Sequence, residues 1–285
     1  CGLLHRLNGA LCKNLAQKSG CTVLAADLHM DNVHALADAG VKPSSIQEIA
    51  EKADIVFLSL PAIHHVEAVC TGKEGLLAHA RSLKTIVDMS TSDVERTRQL
   101  AALLQKSGLE LIDAPVARSR EAANNGTLLI TVGATEAQFS AVKPYLDCMG
   151  SDVLHCGPTG GGQVVKIMNN MVLLNTVHTL AEAFAIAEKS GVSKDLLAEA
   201  LGLGSAASFA LKLTGANYLA KDVFPEKMFS TAYALKDLKL ALELSNTVQL
   251  SNQITELIAE KLQRAVDAGF ADNYYPVMYR IIANT

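Results

Sequence analysis

At Gly157-Pro158-Thr159-Gly160-Gly161-Gly162 the chain changes character, and reading outward from this stretch decides the fold. On its N-terminal side, short apolar or β-branched runs at 22–26, 55–60, 85–88, 110–112 and 128–132 read as strands. Helical patterns lie between them at 9–18, 30–38, 45–52, 94–107 and 136–149. Alternation at this spacing predicts βαβ units and a mainly parallel sheet with helices on both faces. A run such as Ile55-Val56-Phe57-Leu58 suits a sheet buried on both faces. On the C-terminal side the strand patterns stop. Residues 163–190 contain no Pro or Gly and are apolar on nearly all sides, which predicts a long helix buried all round. Further helical patterns follow at 193–203, 209–219, 232–246 and 252–268. The expected fold is an α/β Rossmann-type, doubly wound sheet domain over 1–158. An all-α domain over 159–285, built on the long interdomain helix, is expected to follow and to serve substrate binding and oligomerisation.

Composition narrows the function. The 285 residues are 49% hydrophobic and 19% charged, enough to bury a large core and to exclude disorder. Twenty-five Lys and Arg against twenty-nine Asp and Glu give a net charge of −4, which argues against a nucleic-acid partner. Aromatics are 5% and Trp is absent, so base- or sugar-stacking platforms are not expected. The six cysteines, at 1, 12, 21, 70, 148 and 156, form no CxxC pair and no metal-ligand spacing. They predict a reducing, cytoplasmic compartment and no bound metal. The most apolar long stretch, 171–187, carries Asn175, His178 and Glu182, so it reads as a buried helix and no membrane span is expected. Nothing resembles a signal peptide. The abrupt start at Cys1-Gly2 suggests a fragment or an unusual beginning.

The opening Gly2-Leu3-Leu4-His5-Arg6-Leu7-Asn8-Gly9 sits where a dinucleotide-binding chain carries G-x-G-x-x-G, whose glycines let the backbone approach a pyrophosphate. No register here places three glycines at that spacing, and the preceding strand is missing from the pattern; Gly2 is the candidate loop glycine. Asp27 ends the second strand candidate about 20 residues after the loop, where a carboxylate accepts hydrogen bonds from the adenosine ribose. It would repel a 2′-phosphate, and Leu28 follows in place of a cation. NAD is therefore expected over NADP, which remains possible. The plain alternative is an aspartate capping a turn. Leu60-Pro61 and Ser90-Thr91 fall at the carboxyl edge of the sheet, where such folds bind ligands. His65, after Pro61, reads as cofactor-lining or surface.

In Gly160-Gly161-Gly162-Gln163-Val164-Val165-Lys166-Ile167-Met168-Asn169-Asn170, Lys166 falls one turn into the apolar helix, with Asn169 and Asn170 at i+3 and i+4. A lysine there is costly unless paired or working, or unless it snorkels to the surface. At this point the chain resembles the β-hydroxyacid dehydrogenase family, which includes 3-hydroxyisobutyrate dehydrogenase, tartronate semialdehyde reductase and sulfolactaldehyde reductase. Gly160 to Asn170 matches its G-x-G-x-x-x-K-x-x-N-N signature. Asp113-Ala114-Pro115-Val116 with Gly126-Thr127-Leu128 matches a second motif. Phe229 with Lys236-Asp237-Leu238-Lys239-Leu240-Ala241 matches a third, and Asp88-Met89-Ser90-Thr91 a strand end. Together they span nearly the whole chain.

The resemblance implies hydride transfer between a nicotinamide cofactor and a small anionic 3-hydroxy acid or its semialdehyde, in a cleft between the two domains. Lys166 would be the general acid/base, and Asn169 and Asn170 would orient substrate. Leu60, Thr91 and Lys236 would line the nicotinamide and its ribose, although Lys236 also reads as an ordinary helix lysine. The chain departs from the family twice. Where many members carry Ser-Gly-Gly after D-A-P-V, it has Ala117-Arg118-Ser119. A guanidinium suits a carboxylate or sulfonate, so Arg118, assisted by Ser119, is the expected substrate-anion anchor; the alternative is that it pairs with Glu121 or solvent. The family's three loop glycines, counted back from Asn14-Leu15, fall on Leu3, His5 and Asn8. That departure favours the competing function, a catalytically weak dinucleotide-binding sensor or scaffold. The family's apolar C-terminal helices imply a homodimer or homotetramer.

Overall fold

The computed structural model describes residues 2–3, 8–226 and 228–283. The chain divides into two compact units, 1–166 and 167–285. The expected division at 158/159 falls in the turn just ahead of the long helix, whose residues through Lys166 belong to the first unit.

In the first unit the chain runs β1 (Gly2–Leu3), α1 (Asn8–Lys18), β2 (Val23–Ala26), α2 (Met30–His34), β3 (Val41–Pro43), α3 (Ile46–Lys52), β4 (Ile55–Leu58), α4 (Ile63–Thr71), α5 (Leu76–His79), β5 (Thr85–Asp88), α6 (Val94–Gln105) and β6 (Glu110–Asp113). These strands form one parallel sheet in the order β3-β2-β1-β4-β5-β6. That is the order of a doubly wound dinucleotide-binding sheet. Alternate residues face opposite sides of it. Phe57, Val87 and Ile112 pack into one core with Leu11 and Leu15 of α1. Val56, Leu58, Ile86 and Leu111 pack into another with Leu100 and Leu104 of α6.

The strand that the sequence pattern lacked is therefore present. Gly2 and Leu3 pair with Ala25 and Ala26 on one side and with Phe57 and Leu58 on the other. This corrects the reading of Gly2, which is a residue of the central strand and not of the loop; residues 4–7, where that loop falls, lie outside the described residues. Three further strands escaped the pattern. β3 contains a lysine and a proline and is an edge strand, where burial is one-sided.

The other two belong to a second sheet: β7 (Val116–Ala117), then α7 (Arg120–Asn125), β8 (Leu128–Val132), α8 (Glu136–Leu146) and β9 (Gly150–His155), in the order β7-β8-β9. β9 opens with Gly150-Ser151-Asp152, which carries no apolar signal. A single bridge between Asp113 and Gly133 joins the end of β6 to the residue after β8.

The second unit is helical. It contains the body of α9 (Gly161–Lys189), then α10 (Lys194–Leu203), the π-helical segment Leu211–Leu219, α11 (Thr231–Thr247), α12 (Gln253–Ala265) and α13 (Met278–Ala283). Leu174, Val177, Ala181 and Phe184 of α9 are fully buried against this unit's core. The expectation of burial all round is corrected on the other side: Val172 is 59% and Ile186 67% exposed. A sequence reading cannot distinguish an apolar residue facing the core from one left on the surface of a single chain. No described helix is long and apolar enough to cross a membrane.

Candidate active site

Of the residues read as cofactor-binding, Asp27, Leu60, Pro61, His65 and Thr91 follow the carboxyl ends of β2, β4 and β5. Asp27 follows β2. Its Oδ1 accepts hydrogen bonds from the His29 backbone N–H (2.7 Å) and from Asn32 Nδ2 (3.2 Å), so the carboxylate does brace a turn. Its Oδ2 is buried and has no hydrogen-bond partner among the described residues. A buried carboxylate oxygen without a donor is costly, and a ribose hydroxyl is the kind of donor that would complete it. The next side chain, Leu28, is 99% exposed. Past β4, the Leu60 N–H donates to Ser90 Oγ at 2.8 Å. Leu60, Pro61 and Thr91 are half-buried; His65 is exposed on the first turn of α4, its ring next to His64 with centroids 3.9 Å apart.

The start of α9 is fastened to β5 and β6 by a buried polar frame. Asp113, at the end of β6, accepts from the Gly160 N–H through Oδ1 (2.6 Å) and from the Gln163 N–H through Oδ2 (2.8 Å). A carboxylate at a helix N-terminus satisfies orphan donors and faces the positive end of the helix dipole. Burial pushes its pKa up to about 6 against the pull of the Gly160 and Gln163 donors, with Asp88 adding to the rise. The Gln163 side chain accepts from the Ser92 N–H (3.0 Å) and donates to the Ser90 carbonyl (2.8 Å). Asp88 in turn accepts from the Ser90 N–H and the Ser92 hydroxyl. Gly162 lies so close to Thr131 that a Cβ would overlap the Thr131 carbonyl oxygen. Lys166 follows three residues after Gln163 and is half-buried.

Within the second unit, Asn170 is buried and donates through Nδ2 to Asp237 Oδ2 at 2.6 Å, while its Oδ1 accepts from Asn169 Nδ2 at 3.1 Å. Lys236 Nζ lies 3.0 Å from Asp237 Oδ1 and 4.3 Å above the Tyr233 ring centroid. Burial by itself would lower the Lys236 pKa, but Asp237 and Tyr233 more than reverse this and hold it above the ordinary lysine value. Lys236 is thus a partnered, largely enclosed cation and not a solvent-facing helix lysine.

Arg118 stands differently from its expectation. It adopts φ +88°, a conformation that glycine takes without cost and other residues rarely do. Its guanidinium donates to the Thr127 carbonyl (2.7 Å), Ser151 Oγ (2.9 Å) and Asp152 Oδ2 (2.6 Å). Ser151 and then Arg118 hold the Asp152 carboxyl below its usual range. Three of its five N–H donors are thus engaged by groups of this chain, one of them by a carboxylate, where the sequence led to the expectation of a guanidinium offered to a substrate anion. Ser119 is exposed and caps α7, accepting from the Ala122 N–H at 3.2 Å.

Asp113, Gln163 and Asp237 received no role from the sequence. Each lay inside a quoted motif, but the hydrogen bonds that join them to other elements cross 47 to 73 residues of chain, which spacing along the sequence does not reveal.

Comparison with known proteins agrees with this fold. Residues 9–157 match the NAD binding domain of 6-phosphogluconate dehydrogenase, and residues 160–282 match the NAD-binding region of NADP-dependent 3-hydroxyisobutyrate dehydrogenase. The chain is 34% identical to 2-(hydroxymethyl)glutarate dehydrogenase of Eubacterium barkeri, covering 93% of this chain and 89% of that one. It is 34% identical to 3-hydroxyisobutyrate dehydrogenase of Pseudomonas aeruginosa, over 89% of this chain and 87% of that one. The structure of Mycobacterium tuberculosis 3-hydroxyisobutyrate dehydrogenase with L-serine matches with a TM-score of 0.88 at 28% identity, covering 99% of this chain and 97% of the other. The matched family models and relatives make the chain a nicotinamide-dependent oxidoreductase. Within that class, the chain belongs to the β-hydroxyacid dehydrogenase family.

Proposed function

We propose that the protein transfers hydride between NAD and a small anionic 3-hydroxy acid or its semialdehyde, with Lys166 as general acid/base. The observation that carries this reading is the placement of Lys166. It is half-buried on a helix whose N-terminus is fastened by Asp113 and Gln163 to the carboxyl ends of β5 and β6, the edge where doubly wound sheets bind ligands. The nicotinamide, when bound, supplies or accepts the hydride. Lys166 Nζ donates a proton to the substrate carbonyl oxygen in reduction and recovers it from the hydroxyl in oxidation. As an ammonium it also stabilises the negative charge developing on that oxygen. Asn169 presents its amide at the surface of the same helix, and Asn170, held by Asp237, fixes its orientation. The substrates in the relatives' names, 2-(hydroxymethyl)glutarate, 3-hydroxyisobutyrate and L-serine, share a hydroxymethyl carbon beside a carboxylate-bearing carbon. That unit is the proposed substrate class.

The unpartnered Oδ2 of Asp27 and the exposed Leu28 beside it favour NAD over NADP. NADH is expected to raise the melting temperature more than NADPH at equal concentration, and Asp27→Ala to remove the difference. Turnover is then assayed with the three hydroxy acids. Lys166→Ala is expected to lower kcat by about 10²–10⁴-fold while leaving NADH affinity nearly intact. Tight NADH binding by the wild type without turnover of any small hydroxy acid or semialdehyde would favour a binding protein over an enzyme. Equal losses of binding and turnover in Lys166→Ala would remove the lysine's assigned role.

A further inference from the structure

Gln163 is completely buried, yet every polar atom of its side chain is used. Its Oε1 accepts from Ser92 N–H and its Nε2 donates to Ser90 C=O, two groups of one short segment, with Thr91 between them. A carbonyl and the N–H two residues on are the pair that a neighbouring parallel strand engages, so the glutamine amide acts as one residue of an added strand. The same residue's backbone N–H is held by Asp113. Ser90 carries the frame further, since its hydroxyl accepts from the Leu60 N–H and its own N–H donates to Asp88.

We infer that Gln163 is a positioning residue of the hydride-transfer site, clamping the Ser90–Ser92 turn and, through Ser90, Leu60, to the helical turn that carries Lys166. The inference rests on the reading of Lys166 as proton donor. Lys166 is three residues beyond Gln163, on the adjoining turn of one helix. Misplacement by about 1 Å costs on the order of a hundredfold in rate, and the clamp spans 71 to 73 residues of sequence with two hydrogen bonds. An amide is required: a carboxylate accepts from Ser92 but has nothing to donate to the Ser90 carbonyl, and leucine fills the space with neither.

The test compares Gln163→Leu and Gln163→Glu with wild type. Hydrogen exchange is followed in the cofactor-free protein at residues 88–92 and 160–166, and kcat and KM are measured across pH. Gln163→Leu is expected to lower kcat by about tenfold to a hundredfold with KM for NADH changed by less than about threefold. Exchange should quicken in those two segments alone. The acid introduced by Gln163→Glu lies near Asp88 and Asp113, so its pKa is raised; when protonated it restores both a donor and an acceptor. Relative to wild type at each pH, that variant should behave like Gln163→Leu near pH ~8 and recover as pH falls towards ~5.5. A packing role alone predicts no such recovery. Retention of kcat within about twofold in Gln163→Leu, or absence of pH-dependent recovery in Gln163→Glu, overturns the inference. Should Gln163→Leu fail to fold, the recovery in Gln163→Glu decides alone. Should the wild type itself show no turnover, the reading of Lys166 fails, while the exchange data still decide whether the clamp exists.

Discussion

Arg118 combines a left-handed backbone with a guanidinium bonded to its own chain. A left-handed φ costs a non-glycine residue about 1 kcal/mol or more, and Arg118 is held there with its guanidinium against Asp152, Ser151 and Thr127. Arg118→Gly and Arg118→Ala both remove these bonds, but only alanine keeps the backbone penalty. Arg118→Gly should therefore be the more stable of the two by about 1 kcal/mol in urea unfolding. Neither substitution should change KM for an anionic substrate much; a large rise in both would restore Arg118 as the anion anchor. Asp113 supplies a pH dependence at the same scale. Its folded pKa, about 6, lies above the ordinary 3.8, so the folded state takes up the proton first. Its contribution to stability therefore improves as pH falls through about 6 towards 3.8 and is lost as pH rises again. Measured against Asp113→Asn across this window, the wild type should gain about 2 kcal/mol on acidification. A flat difference would mean that the carboxyl is not desolvated as its burial implies.

At the scale of elements, the start of α9 leaves no room for added atoms. A Cβ at Gly162 would overlap the Thr131 carbonyl and come within 2.9 Å of Asp113 Oδ2 and the Gly133 nitrogen. Gly162→Ala should cost on the order of 1–3 kcal/mol or more and loosen the helix turn ahead of Lys166. Gly202, on exposed α10 with nothing near its would-be Cβ, is the contrast: Gly202→Ala should stabilise by about 0.5–1 kcal/mol. Thermal unfolding of the pair checks both. Elements were legible in the sequence where burial was two-sided or strongly periodic. β4 reads as a continuous apolar run and β5 and β6 as short apolar or β-branched ones, and α6, α9 and α12 ran far enough for their pattern to declare itself. β1, β7 and β9 were not legible. Two of them are two residues long, and the third begins with three residues of no β preference, so each exists because neighbouring strands supply its hydrogen bonds.

At the scale of the whole molecule, the unexplained feature is apolar surface on the helical unit. α10 buries none of its residues, Leu203 is 86% exposed and Phe209 is 72% exposed. Surface of this kind on a single chain is costly and marks contact sites. Analytical ultracentrifugation should find a dimer or larger species, and Leu203→Asp with Phe209→Asp should shift it towards monomer. A monomeric wild type at micromolar concentration would count against that expectation.

The alternation of the longer strands and helices, the change from α/β to all-α near residue 160 and the motif that carries Lys166, Asn169 and Asn170 could all be read from the chain. They depend on periodicity and spacing within a few tens of residues, and those are local properties. The partners of Asp113, Gln163, Arg118 and Asp237 were decided only by the tertiary structure. A buried polar group takes whichever donor or acceptor folding brings within about 3 Å. Most of those partners lie 33 to 73 residues away along the chain, so the identity of a side chain declares its capacity to bond but not its choice.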